Sequence, residues 1–444
     1  MKTPIYDFLL SYSRSDTVRM HMPGHKGHGV LGEALDITEI SGADSLFEAS
    51  GIIRESELSA SELFGAETYY STEGSSLAIR AMLYLAARHA VECGKAPLIW
   101  AGRNAHKVFL SAAALIDFDI EWLTPEGGSY LSSRITAEYL ENKLSQSEII
   151  PTAVYVTSPD YLGNTVDMAA LAEVCHRFGV LLLVDAAHGS YLRFLTPSLF
   201  PTDLFADCAV SSAHKTLPTL TGGAYLHINR GAPKVFSQHA KSALSLFAST
   251  SPSYLIMASL DRTNAYLSDG YAAKLSTFVG KIEEIKKKLS SVGYTLIGDE
   301  PMKITISTKS YGYRGYELCE LLLSRGVSPE FSDPDYLVLM PTPETCEGEL
   351  DRLYDVLCSI PKRDEITDLP PSFKMPRRAV SPREAIFAPS VVLPATECVG
   401  KTLGAVTVGC PPAVPIIVSG EVIEEEHIDA FKYYGIEKIE VLVK

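Results

Sequence analysis

Short apolar runs alternate with stretches of helical spacing through the middle of this sequence, and no other feature restricts the fold as strongly. Helices are predicted between the runs, at residues 77–91, 106–116 and 168–178. Strands are predicted at residues 97–101, 152–157, 180–185, 208–212 and 223–228. Strands that are apolar along their whole length are buried on both faces, and helical crossovers join parallel neighbours. The pattern therefore predicts an α/β fold around a mainly parallel sheet.

The chain divides into four predicted parts. An N-terminal arm (1–55) with little periodicity precedes a large domain (56–265) that holds the alternating pattern. A second helix–strand pattern predicts a smaller α/β domain (266–360). Residues 361–383 are rich in proline and charge, which is typical of a linker. They open a C-terminal segment (361–444) whose later part favours β structure.

Charge and cysteine usage exclude several classes of partner and compartment. The chain has 39 Lys and Arg against 54 Asp and Glu, a formal net charge of −15. Such an acidic surface disfavours nucleic acid and anionic lipid, and no apolar run approaches the roughly 18 residues of a membrane span. The eight cysteines are scattered without a CxxC pair, as is usual for reduced thiols. We expect a cytoplasmic protein without a metal centre, nucleic-acid partner or membrane partner.

A lysine follows one predicted strand directly. Lys215 stands among small residues in the segment SAHKT (212–216), which comes after the strand at 208–212. An ammonium with little water around it has a lowered pKa, and the amine becomes a nucleophile toward aldehydes. The alternative interpretation is a lysine whose stem runs past the strand end and whose ammonium reaches solvent.

Two further groups stand where a sheet of this kind places ligands. Asp185 ends an apolar strand at the carboxyl edge of the predicted sheet. Gly74, Ser75 and Ser76 open a predicted helix, and the N–H groups at a helix N-terminus hold phosphate well. The alternatives are structural: Asp185 caps the next turn, and Ser75 or Ser76 caps the helix.

The order of these groups along the chain favours one cofactor. The phosphate-type turn at 74–76 comes first, followed by His106, Asp185 and Lys215. Pyridoxal phosphate requires an amine that bonds its aldehyde, a carboxylate that keeps its ring nitrogen protonated, an anion cradle, and a flat group over the ring. The combination predicts a pyridoxal 5'-phosphate enzyme.

Six motifs resemble those of the ornithine/lysine/arginine decarboxylase family of fold-type-I pyridoxal-phosphate enzymes. They are HMPGHKG (21–27), NAHK (104–107), TSP (157–159), VDAAHG (184–189), SAHKTLP (212–218) and SPREA (381–385). The resemblance implies a mainly parallel seven-stranded sheet in the large domain, with smaller C-terminal α/β lobes. It further implies the short form without an N-terminal wing domain, and a homodimer with the active site at the subunit interface.

The resemblance also implies roles for individual residues. Lys215 is similar to the lysine that forms the Schiff base, Asp185 to the partner of the pyridine nitrogen, and His106 to the imidazole that stacks on the ring. Lys215 or His214 would donate a proton to the reacting carbon. The other cofactor contacts that the family implies are Gly74, Ser75, Ser76, Ala187, His188, Ser212 and His214.

Three positions depart from the family's pattern. Glu73 stands where asparagine is usual, and a carboxylate beside a phosphate is unfavourable unless it points away. The stretch TGGA (221–224) has lost side-chain donors, but its backbone suits close contacts. Asp160 replaces an expected threonine, where it either adds charge for a basic substrate or begins a turn.

A basic substrate requires a carboxylate partner for its distal cation. Each candidate is also interpretable as a solvated surface charge. The candidates are Asp44, Asp160, Glu384, Glu397 and Glu421. The two histidines and the lysine of HMPGHKG are interpreted as part of a backbone-contact segment near the mouth of the active site, rather than as a metal or phosphate cluster.

The predicted reaction is decarboxylation of arginine, lysine or ornithine to the corresponding polyamine-pathway amine and CO₂, with arginine favoured. The first alternative is an aminotransferase or carbon–carbon lyase on the same fold. A transaminase needs an arginine for the substrate carboxylate, and Arg383 is the candidate. The second alternative is a protein that keeps the fold for binding or regulation without turnover.

Overall fold

The computed structural model describes residues 1–124, 130–410 and 414–443. The β-leaning part of the C-terminal segment is therefore described except at residues 411–413 and 444. The helices are α1 (Pro4–Ser13), α2 (Ile52–Phe64), α3 (Gly74–Glu92), α4 (Lys107–Ile116), α5 (Ala137–Gln146), α6 (Met168–Arg177), α7 (Ala213–Thr216), α8 (Lys234–Phe247), α9 (Tyr254–Leu267), α10 (Tyr271–Ser291), α11 (Gly315–Ser324), α12 (Glu347–Cys358), α13 (Pro382–Phe387) and α14 (Glu425–Tyr433).

Seven strands form the large sheet, in the order β1-β7-β6-β5-β4-β2-β3. Their bounds are β1 (Glu67–Ser71), β2 (Leu98–Gly102), β3 (Asp119–Leu123), β4 (Ala153–Thr157), β5 (Leu181–Asp185), β6 (Cys208–Ser211) and β7 (Ala224–Ile228). The pairs β2–β3, β4–β5 and β5–β6 are parallel, whereas β7 runs antiparallel to β6 and to β1. The predicted mainly parallel seven-stranded sheet is confirmed.

Two compact units make up the described chain. The first comprises Met1–Pro97, Leu144–Ser158 and Met168–Leu275, and the second comprises Leu98–Lys143, Pro159–Asp167 and Ser276–Lys444. The four-part division expected from the sequence stays a prediction.

The second unit holds a four-stranded antiparallel sheet and two strand pairs. The sheet has the order β10-β11-β9-β8, and the pairs are β12–β15 and β13–β14. Their bounds are β8 (Thr295–Ile297), β9 (Ile304–Ser307), β10 (Phe331–Ser332), β11 (Tyr336–Leu339), β12 (Ser390–Pro394), β13 (Thr407–Cys410), β14 (Val414–Val418) and β15 (Lys438–Leu442).

Helix α3 carries the predicted phosphate turn at its amino end. It packs against β6 and β7 through an apolar face on which Leu77, Met82 and Leu85 are at most 1% exposed. Full burial of such a side chain stabilises a fold by about 1.5–3 kcal/mol. The packing holds the amino end of α3 beside the segment after β6, since a Cβ on Gly74 would lie 3.9 Å from Cε1 of His214.

The sequence prediction misses two strands of the large sheet, β1 and β3. Their sequences, ETYYS and DIEWL, mix charged and aromatic residues instead of forming an apolar run. Both strands lie at the ends of the strand order, where an edge strand tolerates polar and charged side chains.

The predicted linker is irregular over most of its length. Residues 361–377 contain no helix or strand, but α13 begins at Pro382. Ser381 caps this helix, because its hydroxyl accepts the Glu384 N–H at 3.1 Å. Within the described ranges, no helix is both long enough and apolar enough to cross a bilayer.

Candidate active site

Asp185 is a buried carboxylate at the carboxyl end of β5, only 2% exposed. Its Oδ2 accepts a hydrogen bond from the Tyr155 hydroxyl at 3.1 Å, and its Oδ1 accepts one from the Ala187 backbone N–H at 3.1 Å. Burial of a carboxylate is costly unless its oxygens are hydrogen-bonded. The bond from Ala187 also means that Asp185 caps the turn after its strand, whatever chemistry it performs.

Tyr155 is a contact that the sequence prediction misses. It lies in β4, two residues before Thr157, which is paired with Asp185 in the parallel register. Burial, and then the nearby Asp185 carboxylate, raise the pKa of Tyr155 well above its usual value. The phenol therefore keeps the proton that it donates to Asp185. The one signal in the sequence is a polar-tipped aromatic residue inside the otherwise apolar run AVYV.

Lys215 lies in α7, the short helix that follows β6, and it is half-buried. Its Nζ lies 3.1 Å from Nε2 of His188, which is itself buried. Because β5 and β6 are parallel neighbours, the segments that follow them meet at one edge of the sheet. The structure therefore brings Asp185, His188 and Lys215 to the same edge.

The turn before α3 is closed by backbone contacts. The Gly74 N–H donates to the Gly222 carbonyl oxygen at 2.8 Å. Gly222 has a φ of +100°, and a Cβ there would lie 2.9 Å from the Thr72 carbonyl oxygen. Glycine at 222 is therefore what lets this loop approach the turn so closely. The TGGA departure from the family pattern is a close backbone contact.

Ser75 and Ser76 are the second and third residues of α3. Neither caps the helix, because the N-cap residue is Glu73 and its side chain makes no capping hydrogen bond. Both serines are only partly buried. Their backbone N–H groups belong to the first turn, where an α-helix offers donors without intrahelical partners.

Two buried hydroxyls flank Lys215 along the chain. Ser212 Oγ and Thr216 Oγ1 have no hydrogen-bond partner among the described residues, and the two residues are 0% and 4% exposed. A buried hydroxyl left unpaired costs about 1–3 kcal/mol. A bound anion would supply the missing acceptors. This segment and the first turn of α3 therefore fit the phosphate of the predicted pyridoxal phosphate.

His214 is fixed by the loop that precedes β7. Its Nδ1 lies 2.9 Å from the Gly223 carbonyl oxygen, and its backbone N–H donates to the same oxygen at 3.1 Å. Because a carbonyl only accepts, Nδ1 carries the hydrogen. Nε2 is then the basic atom of the neutral ring.

His106 lies in the second compact unit. It is the N-cap residue of α4, and its Nδ1 accepts the Val108 N–H at 3.2 Å. This capping bond orients the ring. The stacking role implied by the family stays a prediction.

Glu73 directs its carboxylate to a neighbouring loop. Its Oε1 accepts the Ser249 backbone N–H at 2.8 Å, in the segment between α8 and α9. This bond accommodates the carboxylate that replaces the family's asparagine, because one of its oxygens is satisfied outside the turn.

Asp44 is a structural carboxylate rather than a partner for substrate. Its oxygens accept backbone N–H groups at 2.8–3.3 Å from Ser45, Ser50, Gly51, Ile53 and Arg54. Burial acts to raise the pKa of Asp44, but these hydrogen bonds outweigh it and lower the pKa. A carboxylate has about four lone-pair sites, so this one has none left for a ligand.

Three more of the carboxylates considered as partners for the substrate cation accept hydrogen bonds from within the chain. Glu421 is 2% exposed, and its two carboxylate oxygens accept hydrogen bonds from Nη1 and Nη2 of Arg103 at 2.9 and 2.7 Å. Asp160, 3% exposed, accepts the Asn164 N–H at 2.8 Å and begins a turn, which favours the second interpretation of that residue. Glu384 accepts the Ser381 N–H at 2.8 Å as part of the α13 cap.

The interpretation as substrate carboxylates is therefore wrong for Asp44, Asp160 and Glu421, because partners within the chain occupy them. Glu384 and Glu397 are exposed and stay candidates.

The other residues singled out in the sequence make contacts elsewhere within their own units. Arg383 donates to the Ala114 carbonyl oxygen at 3.0 Å, at the carboxyl end of α4. In HMPGHKG, His21 Nε2 lies 2.6 Å from the Tyr12 hydroxyl, and His25 Nε2 lies 3.2 Å from Asp36. Among the residues with described positions, no group of three or more His, Cys, Asp or Glu is arranged to hold a metal ion.

Comparisons with known proteins identify the family. The model of the Orn/Lys/Arg decarboxylase major domain matches residues 3–311. An arginine decarboxylase of Bacillus subtilis is 30% identical over 466 residues, covering 96% of this chain and 92% of the relative. An arginine decarboxylase of Halalkalibacterium halodurans is 29% identical, with 96% and 92% covered.

Solved structures share the fold. Lysine decarboxylase A from Pseudomonas aeruginosa has a TM-score of 0.81 at 17% identity, covering 99% of this chain and 80% of that one. The Francisella novicida lysine decarboxylase has a TM-score of 0.80 at 17% identity, with 99% and 81% covered. A serine palmitoyltransferase from Sphingomonas wittichii matches at 0.57 and 14% identity, with 80% and 82% covered. The predicted fold class is confirmed.

The family match covers well over half of the chain, and it confirms the predicted enzyme class and cofactor. The chain belongs to the Orn/Lys/Arg decarboxylase family, whose members are pyridoxal-phosphate-dependent decarboxylases of basic amino acids.

Proposed function

We propose that this chain is an arginine decarboxylase, which converts arginine to its amine and CO₂. The observation that carries the proposal is the meeting of Lys215, His188 and Asp185 at one sheet edge, an amine 3.1 Å from an imidazole near a buried carboxylate. Arginine is preferred to lysine and ornithine because the relatives from B. subtilis and H. halodurans are arginine decarboxylases.

Asp185 and Tyr155 would act together on the cofactor ring. Pyridoxal phosphate, when bound, supplies an acceptor for the electron pair released as the bond between Cα and the carboxylate breaks. Asp185 would hold a proton at the pyridine nitrogen. Tyr155 orients that carboxylate through its 3.1 Å hydrogen bond to Oδ2, and enough lone pairs remain on Asp185 for the ring nitrogen.

Lys215 would be the amine that reacts with the cofactor's aldehyde carbon, whose oxygen would leave as water, and His188 would accept a proton from Lys215. With Nε2 within hydrogen-bond distance of Nζ, a neutral His188 can accept the ammonium proton and leave an amine able to form the bond. Once CO₂ has left, Lys215, or His214 beside it, would donate a proton to the α-carbon.

The phosphate would be held by Ser212 and the amino end of α3. The Ser212 hydroxyl would donate to it, and the first backbone N–H groups of α3, at Ser75 and Ser76, would add the positive end of the helix dipole. Gly74 lies against His214 at this turn. Ala187, which follows Asp185 by two residues, is placed beside the ring by resemblance to the family, as is His106.

The family resemblance also supports a proposal for the oligomeric state and the cellular location. We propose a homodimer with its active site at the subunit interface, located in the cytoplasm and supplying an amine to polyamine synthesis. Light scattering on the holoenzyme tests the first point directly, because a molar mass of one chain excludes the dimer.

A product screen tests the reaction. Purified protein loaded with pyridoxal phosphate is given arginine, lysine or ornithine together with a keto acid as amino acceptor, while CO₂ release, amine formation and formation of the keto acid derived from the substrate are measured. The proposal expects the amine and CO₂ in equal amounts, fastest from arginine, and no keto acid derived from the substrate. That keto acid in place of CO₂ would identify an aminotransferase, and no product from any of the three would identify a protein without turnover. The variant Lys215→Ala, treated identically, is the matched control.

A further inference from the structure

A cavity of about 200 Å³ lies in the second unit, lined by none of the residues proposed for catalysis. It lies between β3, the segment that leads into α13, and the end of β14. Its apolar lining includes the buried Pro376 and Val418 and the more exposed Trp122. The lining is therefore mainly apolar with a few polar groups, as in binding sites for small molecules.

Ser419 gives this cavity an unused polar group. The residue is fully buried, and its Oγ has no hydrogen-bond partner among the described residues. Its backbone N–H already donates to the Val406 carbonyl oxygen at 3.1 Å, so the hydroxyl is the group left to bond. Since an unpaired buried hydroxyl costs about 1–3 kcal/mol, a ligand atom that accepts from it is bound favourably.

The two carboxylates in the lining are already neutralised. Glu421 accepts both terminal nitrogens of Arg103 at 2.9 and 2.7 Å. Glu121 pairs with Lys143 at 2.7 Å. Neither carboxylate therefore demands a cationic ligand.

Arg378 is a positively charged residue of the cavity lining, and its guanidinium makes long contacts with its neighbours. Its ion pair with Asp119 spans 3.6 Å, and its contact with the Ile120 carbonyl oxygen spans 3.5 Å. Both distances exceed those of good charge-assisted hydrogen bonds. The guanidinium side chain is 47% exposed, so it can turn toward a carboxylate and bind it through two N–H groups.

We propose that this cavity binds a small carboxylate with a flat apolar body. The carboxylate contacts the Arg378 guanidinium and the Ser419 hydroxyl, and the body packs against Trp122, Pro376 and Val418. The size agrees, because a cavity of about 150 Å³ already accommodates benzene. The proposal rests on this unit alone and does not depend on the substrate proposed above.

Benzoate is the probe, and calorimetric titration into the holoenzyme is the measurement. We expect benzoate to bind at least tenfold more tightly than benzamide, which lacks the charge, and than benzylamine, which has the opposite charge. Ser419→Ala and Arg378→Gln should each weaken benzoate binding at least tenfold. Arg383→Gln, at an exposed arginine outside the lining, should leave it unchanged.

Three outcomes would overturn the proposal. They are no benzoate binding, equal binding to the native chain and to both cavity variants, and tighter binding of benzylamine. Folding of Ser419→Ala is checked by its melting temperature, which should not fall because the lost hydroxyl has no partner in the ligand-free chain. Arg378→Gln changes an exposed side chain and keeps the test decisive if Ser419→Ala fails to fold.

Discussion

Asp185 and Glu421 are both 2% exposed, yet their surroundings differ in kind. Asp185 accepts from a phenol and a backbone amide, both uncharged. Glu421 is matched by the guanidinium of Arg103 and by the Val418 N–H at 2.9 Å. Burial alone therefore does not distinguish the carboxylate that we propose for catalysis from the one that stabilises the fold. The informative property is the hydrogen-bonding capacity that the protein leaves unused.

The largest effect on turnover should come from Lys215, the amine that lies at the same sheet edge as Asp185. Lys215→Ala removes the group proposed to bond the cofactor, and we expect kcat for CO₂ release to fall at least about 10³-fold. Borohydride treatment followed by peptide mapping should fix the cofactor to Lys215 in the native chain and leave no label in the variant. Substantial turnover by Lys215→Ala would refute the assignment.

Asp185→Asn removes the charge of the side chain but keeps its shape. The amide keeps the size of the side chain but cannot hold a proton at the pyridine nitrogen, so kcat should fall about 10²-fold or more while the melting temperature changes little. Steady-state kinetics at saturating cofactor make the measurement. If the variant instead loses stability and turnover in parallel, Asp185 belongs to the same class as Glu421.

Glu421→Gln is the reciprocal test. Removal of one partner of a buried ion pair leaves the Arg103 guanidinium uncompensated, and we expect a loss of about 3–5 kcal/mol in the free energy of unfolding. Chemical denaturation followed by circular dichroism measures it. Arg378→Gln, at a half-exposed arginine with only a long ion pair, is the control and should change stability by less than about 1 kcal/mol.

The unpaired hydroxyls give a smaller effect. Ser212→Ala should weaken cofactor binding about tenfold, because one donor to the phosphate is lost, while the apo protein stays as stable as the native chain. Thr202→Val is the matched control, since Thr202 Oγ1 is also buried without a partner among the described residues but lies away from Lys215 in sequence. Equal cofactor affinity of both variants and the native chain would remove Ser212 from the phosphate site.

The smallest effect concerns a third buried carboxylate, Asp261, which accepts the Ile5 and Tyr6 N–H groups at 3.0 and 3.1 Å and so anchors α1. Burial raises the pKa of Asp261 to about 6. A raised pKa in the folded state means that protonation favours folding, so the contribution of Asp261 is lost as pH rises from about 4 through about 6. Asp261→Asn should flatten the profile of melting temperature against pH in that window, and an unchanged profile would contradict the shift.

The sequence predicts those features that depend on residues close together in the chain. The strand that ends in Asp185 and the segment that carries Lys215 are recognisable because an apolar run stops at a polar residue, and a parallel sheet gathers such ends at one edge. The family motifs then name the cofactor. The same local reasoning misses β1, whose residues ETYYS have no apolar run and are ordered by pairing with β7.

The interpretation of the acidic residues fails for a different reason. Whether a carboxylate is available depends on which donors the fold brings to it, and those donors are set by tertiary structure. Asp44 is satisfied by backbone N–H groups up to ten positions away, and Glu421 by Arg103. Tyr155 is missed likewise, because its contact with Asp185 spans two strands.

The separation of Arg103 and Glu421 also matters while the chain is being made. The guanidinium leaves the ribosome 318 residues ahead of the carboxylate that neutralises it. Before Glu421 is made, Arg103 is a cation without its partner, and its burial in the second unit would cost a large desolvation free energy. We therefore expect this core to close only after Glu421 has been made, and premature termination before Glu421 should yield fragments that chaperones and proteases recognise.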